Sequence, residues 1–118
     1  MTAGTEKRFD LGDRTYQFAQ RVDHFVNQLP RTISNLEHGK QLVRAAGSVG
    51  ANYLEAEDAL SKKDFMHRMK ISRKESKESR FWLRLCLPNE GQIPEMHSLI
   101  QEATELMKIF GSIVSKKN

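Results

Sequence analysis

Apolar residues recur along most of the chain in steps of three and four, the spacing of one face of an α-helix. Four such patterns occur, separated by short breaks. The first runs from about Asp13 to Leu29, with Phe18, Ala19, Val22, Phe25, Val26 and Leu29 on one side. Asp10 or Asp13 can cap its free amides, and Pro30 stops it by disfavouring helical geometry in the residue before. The second runs from about Ile33 to Asp58, with a stripe of Leu36, Leu42, Val43, Ala46, Val49, Tyr53 and Ala56. Ser34 and Glu37 fit a capping box at its start.

The third pattern runs from about Lys62 to Leu87, opened by Ser61 and Asp64. Its inner face reads Phe65, Met69, Ser72, Ser76, Ser79, Leu83 and Cys86, with serine in the middle. Helix 2 carries a matching small run, Ala45 to Ala51, including Gly47 and Gly50. Glycine costs a helix interior about 1 kcal/mol relative to alanine, so two glycines there predict a close backbone approach, taken to be that of helices 2 and 3. The fourth pattern runs from about Pro94 to Ser115. Its stripe is Met96, Leu99, Ile100, Ala103, Leu106, Met107, Phe110, Ile113 and Val114.

Short links between long helices force neighbours to run antiparallel. The predicted fold is therefore all-α, an antiparallel up-down-up-down four-helix bundle over residues 13–118, preceded by a flexible tail over residues 1–12. At 118 residues, with seven glycines and three prolines, the chain has the size and continuity of one such domain.

Charge adds a direction to this picture. The net charge is +4, yet Ser61 to Arg84 alone hold nine Lys/Arg against three Asp/Glu, a local +6. Lys63, His67, Lys70, Lys74, Lys77 and Arg84 recur at helical spacing roughly opposite the Phe65–Cys86 face. Two readings fit: a surface that contacts the phosphates of RNA or DNA, or an ordinary solvated helix face. Phe81 lies on the same stripe and suits either base stacking or a subunit contact. Tyr53, Phe81 and Trp82 exceed what a narrow bundle seam requires and point to self-association, with plain core packing as the alternative.

A second polar set flanks the core: Arg44, Ser48, Asn52 and Glu55 on helix 2, and Glu75 and Glu78 on helix 3. Arg44 is expected to pair with Glu75 or Glu78, and Glu55 with Arg68 or Arg73, giving register rather than net stability. No nucleophile accompanies them, so no catalytic residue is assigned. The bundle dimetal signature Glu-x-x-His is missing and the only cysteine is Cys86, so no metal or cofactor is expected. No apolar run is long enough to span a membrane. The simplest setting for one unpaired cysteine is a reducing, cytoplasmic one.

The stretch from Gln41 to Ala56, followed by Ser61-Lys62-Lys63-Asp64-Phe65, by Lys70 to Ser79 and by Trp82-Leu83, resembles the four-helix bundle proteins related to the 23S rRNA-intervening-sequence protein. Leu29-Pro30-Arg31-Thr32 between the first two helices adds to the likeness, which spans roughly Phe18 to Val114. The resemblance implies a bacterial cytoplasmic bundle. Relatives form ring-shaped homopentamers, and some are encoded within intervening sequences of ribosomal RNA genes. Others serve diversity-generating retroelements and have a basic surface implicated in binding nucleic acid and reverse transcriptase. Arg44, Ser48, Asn52, Glu55 and Glu78 match the family's polar motif, as structural or interface residues. Leu54-Glu55-Ala56 stands where one common form has Ala-Glu-Gly. The resulting expectation is a non-enzymatic homo-oligomer, pentameric by resemblance, that binds RNA or DNA weakly through helix 3. The alternative is a structural module whose partner is another protein.

Overall fold

A computed structural model describes residues 10–116. Residues 1–9 of the expected tail lie outside the described residues. Four helices follow one another: α1 (Leu11–Asn27), α2 (Ile33–Glu57), α3 (Lys62–Leu85) and α4 (Ile93–Lys116), the last preceded by a single 3-10 turn at Glu90–Gln92. No strand occurs among the described residues.

The helix starts follow from side chains that accept the free amides of the first turn. Asp10 caps α1, accepting from the Asp13 amide at 2.8 Å. The helix thus starts at Leu11, two residues earlier than the apolar pattern indicates. Ser61 caps α3, accepting from the Asp64 amide at 3.0 Å. For α2 the cap is Thr32 rather than Ser34: Thr32 is extended and its hydroxyl accepts from the Asn35 amide at 3.1 Å. Ser34 lies one residue inside the helix. Prolines set the stops of α1 and α3. α1 ends three residues before Pro30, and the Phe25 carbonyl accepts from both the Gln28 amide at 3.2 Å and the Gln92 side chain at 3.0 Å. α3 ends at Leu85, after which Cys86 is extended ahead of Leu87-Pro88.

Side-chain pairs give the direction of each neighbour. Arg14 meets Glu102 while Arg21, further along α1, meets Glu95. Ser72 bonds the Val49 carbonyl while Asn35 reaches Leu87. Gly50 faces Thr15 while Gly39 faces Val26. Arg80 reaches Thr104 while Arg73 lies beside Gly111. In all four seams one index rises as the other falls, so each of these helix pairs runs antiparallel.

The core is built from Phe18, Val22 and Phe25 of α1, Leu42, Ala46 and Val49 of α2, Met69 and Leu83 of α3, and Leu99, Ala103, Leu106 and Phe110 of α4. Burying each large side chain among these contributes roughly 1.5–3 kcal/mol. The α2–α3 seam is tight because its residues are small. Ser72, Ser76 and Ser79 are fully buried, and each hydroxyl donates to a helix carbonyl: Ser72 to Val49 across the seam at 2.8 Å, Ser76 to Ser72, and Ser79 to Glu75. The glycines of α2 serve the other side. A Cβ on Gly50 would sit 2.9 Å from Thr15 Oγ1, and one on Gly39 would sit 2.9 Å from Val26 Cγ1, whereas Gly47 faces open space. Helices α2 and α3 do approach closely, as their small residues predict, but the glycines that make room are Gly50 and Gly39, and they make it toward α1.

One part of the predicted core is corrected. Leu36 and Val43 are 41% and 39% exposed. Asn35, Gly39, Leu42, Ala45, Ala46 and Val49 fill the inner face of α2 instead, which turns Leu36 and Val43 outward over the α1–α2 seam.

Asn35 is the polar node at this end of the bundle. It is buried, its amide nitrogen donates to the Pro30 and Leu87 carbonyls at 2.9 Å each, and its oxygen accepts from the Leu87 amide at 2.9 Å. One side chain thereby ties the α1–α2 link to the α3–α4 link.

Candidate nucleic-acid interface

α3 buries Met69, Ser72, Ser76, Ser79 and Leu83, a single stripe at steps of three and four. Every residue roughly opposite that stripe must then face solvent. Lys63, His67, Lys70, Lys74, Lys77 and Arg84 are all exposed, and Phe81 stands among them at 54% exposure. At a rise of about 1.5 Å per residue, Lys63 to Arg84 span roughly 30 Å of helix.

The packing against α4 extends this face with residues the charge stripe did not include. A shallow groove of about 390 Å³ is lined by Lys70, Arg73, Lys74, Lys77 and Met107. It adjoins a second of about 340 Å³, where Arg73 and Arg80 meet Thr104, Lys108, Gly111 and Ser115. Arg73 lies across Gly111, its Nε 3.8 Å from where a Cβ would be. Arg80 makes only a long bond, 3.4 Å, to the Thr104 hydroxyl. Arg73 and Arg80 are one turn and two turns from Lys77 and Arg73, at the edge of the face, which is the signal that could have found them. Among the described residues the ion pairs involve Arg14, Arg21 and Lys40, and none involves a cation of α3. Lys63, Lys70, Lys74, Lys77 and Arg84 therefore face solvent without an ion pair among the described residues.

The second polar set is arranged differently from the expected pairs. Arg68 donates to Asn52 Oδ1 at 2.9 Å rather than meeting Glu55, and Asn52 donates to the Ser48 carbonyl and hydroxyl. The α2 backbone places Asn52 toward α3 and turns Glu55 to solvent. Arg44 meets neither Glu75 nor Glu78. It is exposed and lines a groove on the α1 side of α2. Glu75 is half-buried, and its carboxyl is held above the usual range, first by burial and then by repulsion from Glu78, with Lys74 opposing.

Tyr53 turns inward, its ring 6.3 Å from that of Phe110, and its hydroxyl pKa is pushed up to about 12, first by burial and then by Glu57. Trp82 is half-buried between His38, at 5.6 Å, and Phe81, which meets it edge-on at 5.0 Å. Cys86 is buried, and burial pushes its thiol up to about 11.

Pattern reading missed the α1–α4 seam altogether. Arg14 forks onto Glu102 at 2.7 and 2.9 Å and also reaches Glu105, while Arg21 forks onto Glu95 and bonds Ser98. These bidentate pairs bridge the adjacent helices whose backbones approach least closely. Among the described residues no three His, Cys, Asp or Glu side chains gather into a metal-sized cluster, and no helix is long and apolar enough to cross a membrane.

Comparison with known proteins agrees with this architecture. A structure from Bacteroides thetaiotaomicron, described as a protein with unknown function from the S23 ribosomal protein family, superimposes with a TM-score of 0.74 at 29% identity. The match covers 89% of this chain and 98% of that one. No curated protein matches the chain. The family profile described as 23S rRNA-intervening sequence protein matches residues 7–112. The chain, with its four-helix core and its match over nearly its whole length, belongs to the 23S rRNA-intervening sequence protein family.

Proposed function

We propose that the protein is a cytoplasmic, non-enzymatic, self-associating bundle that binds RNA or DNA through the outer face of α3. The observation that carries this reading is the row of exposed cations on α3, none of which is ion-paired among the described residues. Charges left unneutralised along about 30 Å of rigid helix attract a polyanion chiefly by releasing its condensed counterions. The groove toward α4 adds Arg73, Arg80 and Lys108 to Lys70, Lys74 and Lys77, which is a surface for phosphates rather than for base edges. The reading is thus one of weak, sequence-tolerant binding. Self-association is supported by the exposed apolar residues Leu36, Val43 and Leu54 of α2 and Phe81 and Leu85 of α3.

The test is fluorescence anisotropy with mixed RNA and DNA fragments at two salt concentrations. Four phosphate contacts imply an affinity that falls roughly 100-fold between 50 and 200 mM salt. Changing Lys70, Lys74 and Lys77 together to Glu should abolish binding while leaving the helical circular dichroism unchanged, because all three side chains are exposed. Absence of binding at 50 mM salt, or undiminished binding by the triple variant, overturns the proposal.

A further inference from the structure

Within the cation row of α3 one position is apolar. Lys70, Lys74, Lys77, Phe81 and Arg84 follow one another in alternating steps of four and three. At 3.6 residues per turn, Phe81 lies within about 60° of each of these cations round the helix axis. Lys77 stands one turn before it and Arg84 one turn after it, about 10 Å apart along the axis. Phe81 is 54% exposed, and neither Lys77 nor Arg84 has an ion pair among the described residues. On the α4 side, Arg73 and Arg80 line the grooves beside the row.

The ring is held from behind. It meets the ring of Trp82 at 5.0 Å and close to perpendicular, an arrangement that aromatic pairs favour. Trp82 is half-buried and lies 5.6 Å from His38 of α2. Phe81 is therefore braced through Trp82 against α2, while more than half of its surface faces solvent. Other exposed apolar residues lack this setting. Leu85 of α3 is aliphatic and has no π face to offer. Tyr16 of α1 is aromatic and exposed, but it lines a hollow whose other residues are uncharged.

We propose that Phe81 is a base-stacking platform and that the nucleic acid this face takes is single-stranded. A base turned out of its own stack lies on the Phe81 ring, and the phosphates on either side of its nucleotide reach Lys77 and Arg84. Every base offers a π face, so the contact tolerates any sequence, in keeping with a surface that meets phosphates. In a duplex the faces of the bases are taken up by neighbouring pairs, and Phe81 finds only sugar and phosphate. Because the ring is braced before the strand arrives, little side-chain freedom is lost on binding. With Phe81 given to the nucleic acid, Leu36, Val43, Leu54 and Leu85 remain for self-association.

The inference rests on the nucleic-acid binding proposed above, and comparison of single strand with duplex tests it separately. The probes are oligo(dT) and oligo(U) of about twelve nucleotides, within the range of single-strand sites, and a mixed-sequence DNA duplex of equal length. Phe81→Ala and Phe81→Leu should each weaken single-strand binding by at least about 5-fold and leave duplex binding unchanged, with helical circular dichroism retained. Leucine keeps the apolar bulk without the π face, and Phe81→Tyr, which keeps the π face, should bind as the wild type does. The loss should be equal at about 50 and 200 mM salt, since stacking releases no counterions. Emission from Trp82, the chain's one tryptophan, should change on single-strand binding because its ring touches the platform. A loss at oligo(U) alone names RNA as the strand, and one at oligo(dT) alone names DNA; either supports the platform. A wild-type protein that binds neither single strand nor duplex overturns the nucleic-acid reading and the platform together. Single strand and duplex weakened alike by Phe81→Ala, or neither weakened, overturns the platform alone. So does a Phe81→Ala variant of lower assembly mass in sedimentation velocity, which places the ring in a contact between copies.

Discussion

Gly47 and Gly50 allow the seam between α1 and α2 to be weighed with one substitution made twice. Both lie inside α2, neither adopts positive φ, and they are three residues apart. Replacing either with alanine should gain about 1 kcal/mol of helix propensity, since the backbone freedom lost on folding is smaller. At Gly47 nothing lies within 4 Å of the new methyl, so the gain stands. At Gly50 the methyl would lie 2.9 Å from Thr15 Oγ1 and 3.2 Å from Thr15 Cβ. Thr15 has little freedom to yield. Its hydroxyl donates to the Leu11 carbonyl at 2.8 Å, and a β-branched side chain inside a helix has few rotamers. The helices must then separate, and overpacking of this kind costs about 1–3 kcal/mol.

Gly47→Ala should therefore stabilise by about 1 kcal/mol. Gly50→Ala should range from neutral to about 2 kcal/mol destabilising. The difference, about 2 kcal/mol at its centre, corresponds to roughly 8 °C in Tm for a chain of this size. Urea denaturation followed by circular dichroism, at one protein concentration where sedimentation shows a single species, measures it directly. Equal stabilisation by both substitutions would refute the close contact between α2 and Thr15.

Two further outcomes follow from buried groups. Asn35→Asp should cost at least about 2 kcal/mol at neutral pH, because it sets a carboxylate against two carbonyls that now accept hydrogen bonds at 2.9 Å. Urea melts should show part of that loss recovered as the pH falls and the new group is protonated, and a melt identical to wild type would exclude the node. Cys86, buried with its thiol pushed up to about 11, should resist a thiol-specific chromogenic reagent at pH 8 in the folded protein and react in full in denaturant. Rapid reaction of the native protein would contradict that burial.

The four helices were legible because each carries a stripe with the right period, and α4 shows why that suffices. Leu99, Ala103, Leu106 and Phe110 lie fully buried where their spacing puts them. Caps were legible only where one candidate stood alone. Ser61 was such a case, whereas at α2 both Thr32 and Ser34 were chemically suited, and the turn that bonds the Thr32 amide to the Pro30 carbonyl decided between them. Leu36 and Val43 were misplaced for a related reason. Hydropathy marks them as core, but a small residue such as Gly39 or Ala45 earns an inner position when a neighbouring helix comes close, and closeness is a property of two helices rather than one.

Side-chain pairing was harder to read than fold for the same physical cause. Arg14 and Arg21 are seven residues apart on α1, as are Glu95 and Glu102 on α4, and an antiparallel register makes them meet. The matching interval is visible in the chain, but its meaning depends on knowing that α1 and α4 are neighbours. The candidate interface divides along this line. The exposure of Lys70, Lys74 and Lys77 needs only the stripe of α3 itself, since any residue far from Ser72 and Ser76 on the helix circumference must face outward. The part played by Arg73, Arg80 and Lys108 needs the fit of α3 against α4, where Gly111 leaves room for an arginine to lie across the seam. Arg44 and Glu75 take this one step further. Their opposite charges suggested a pair within the chain, yet the fold leaves them apart. Arg44 lines the α1 side of α2 while Glu75 lies beside Glu78 on α3, so which charges meet is decided by the flank of the helix each occupies, and that is set by the small residues of the seams rather than by charge.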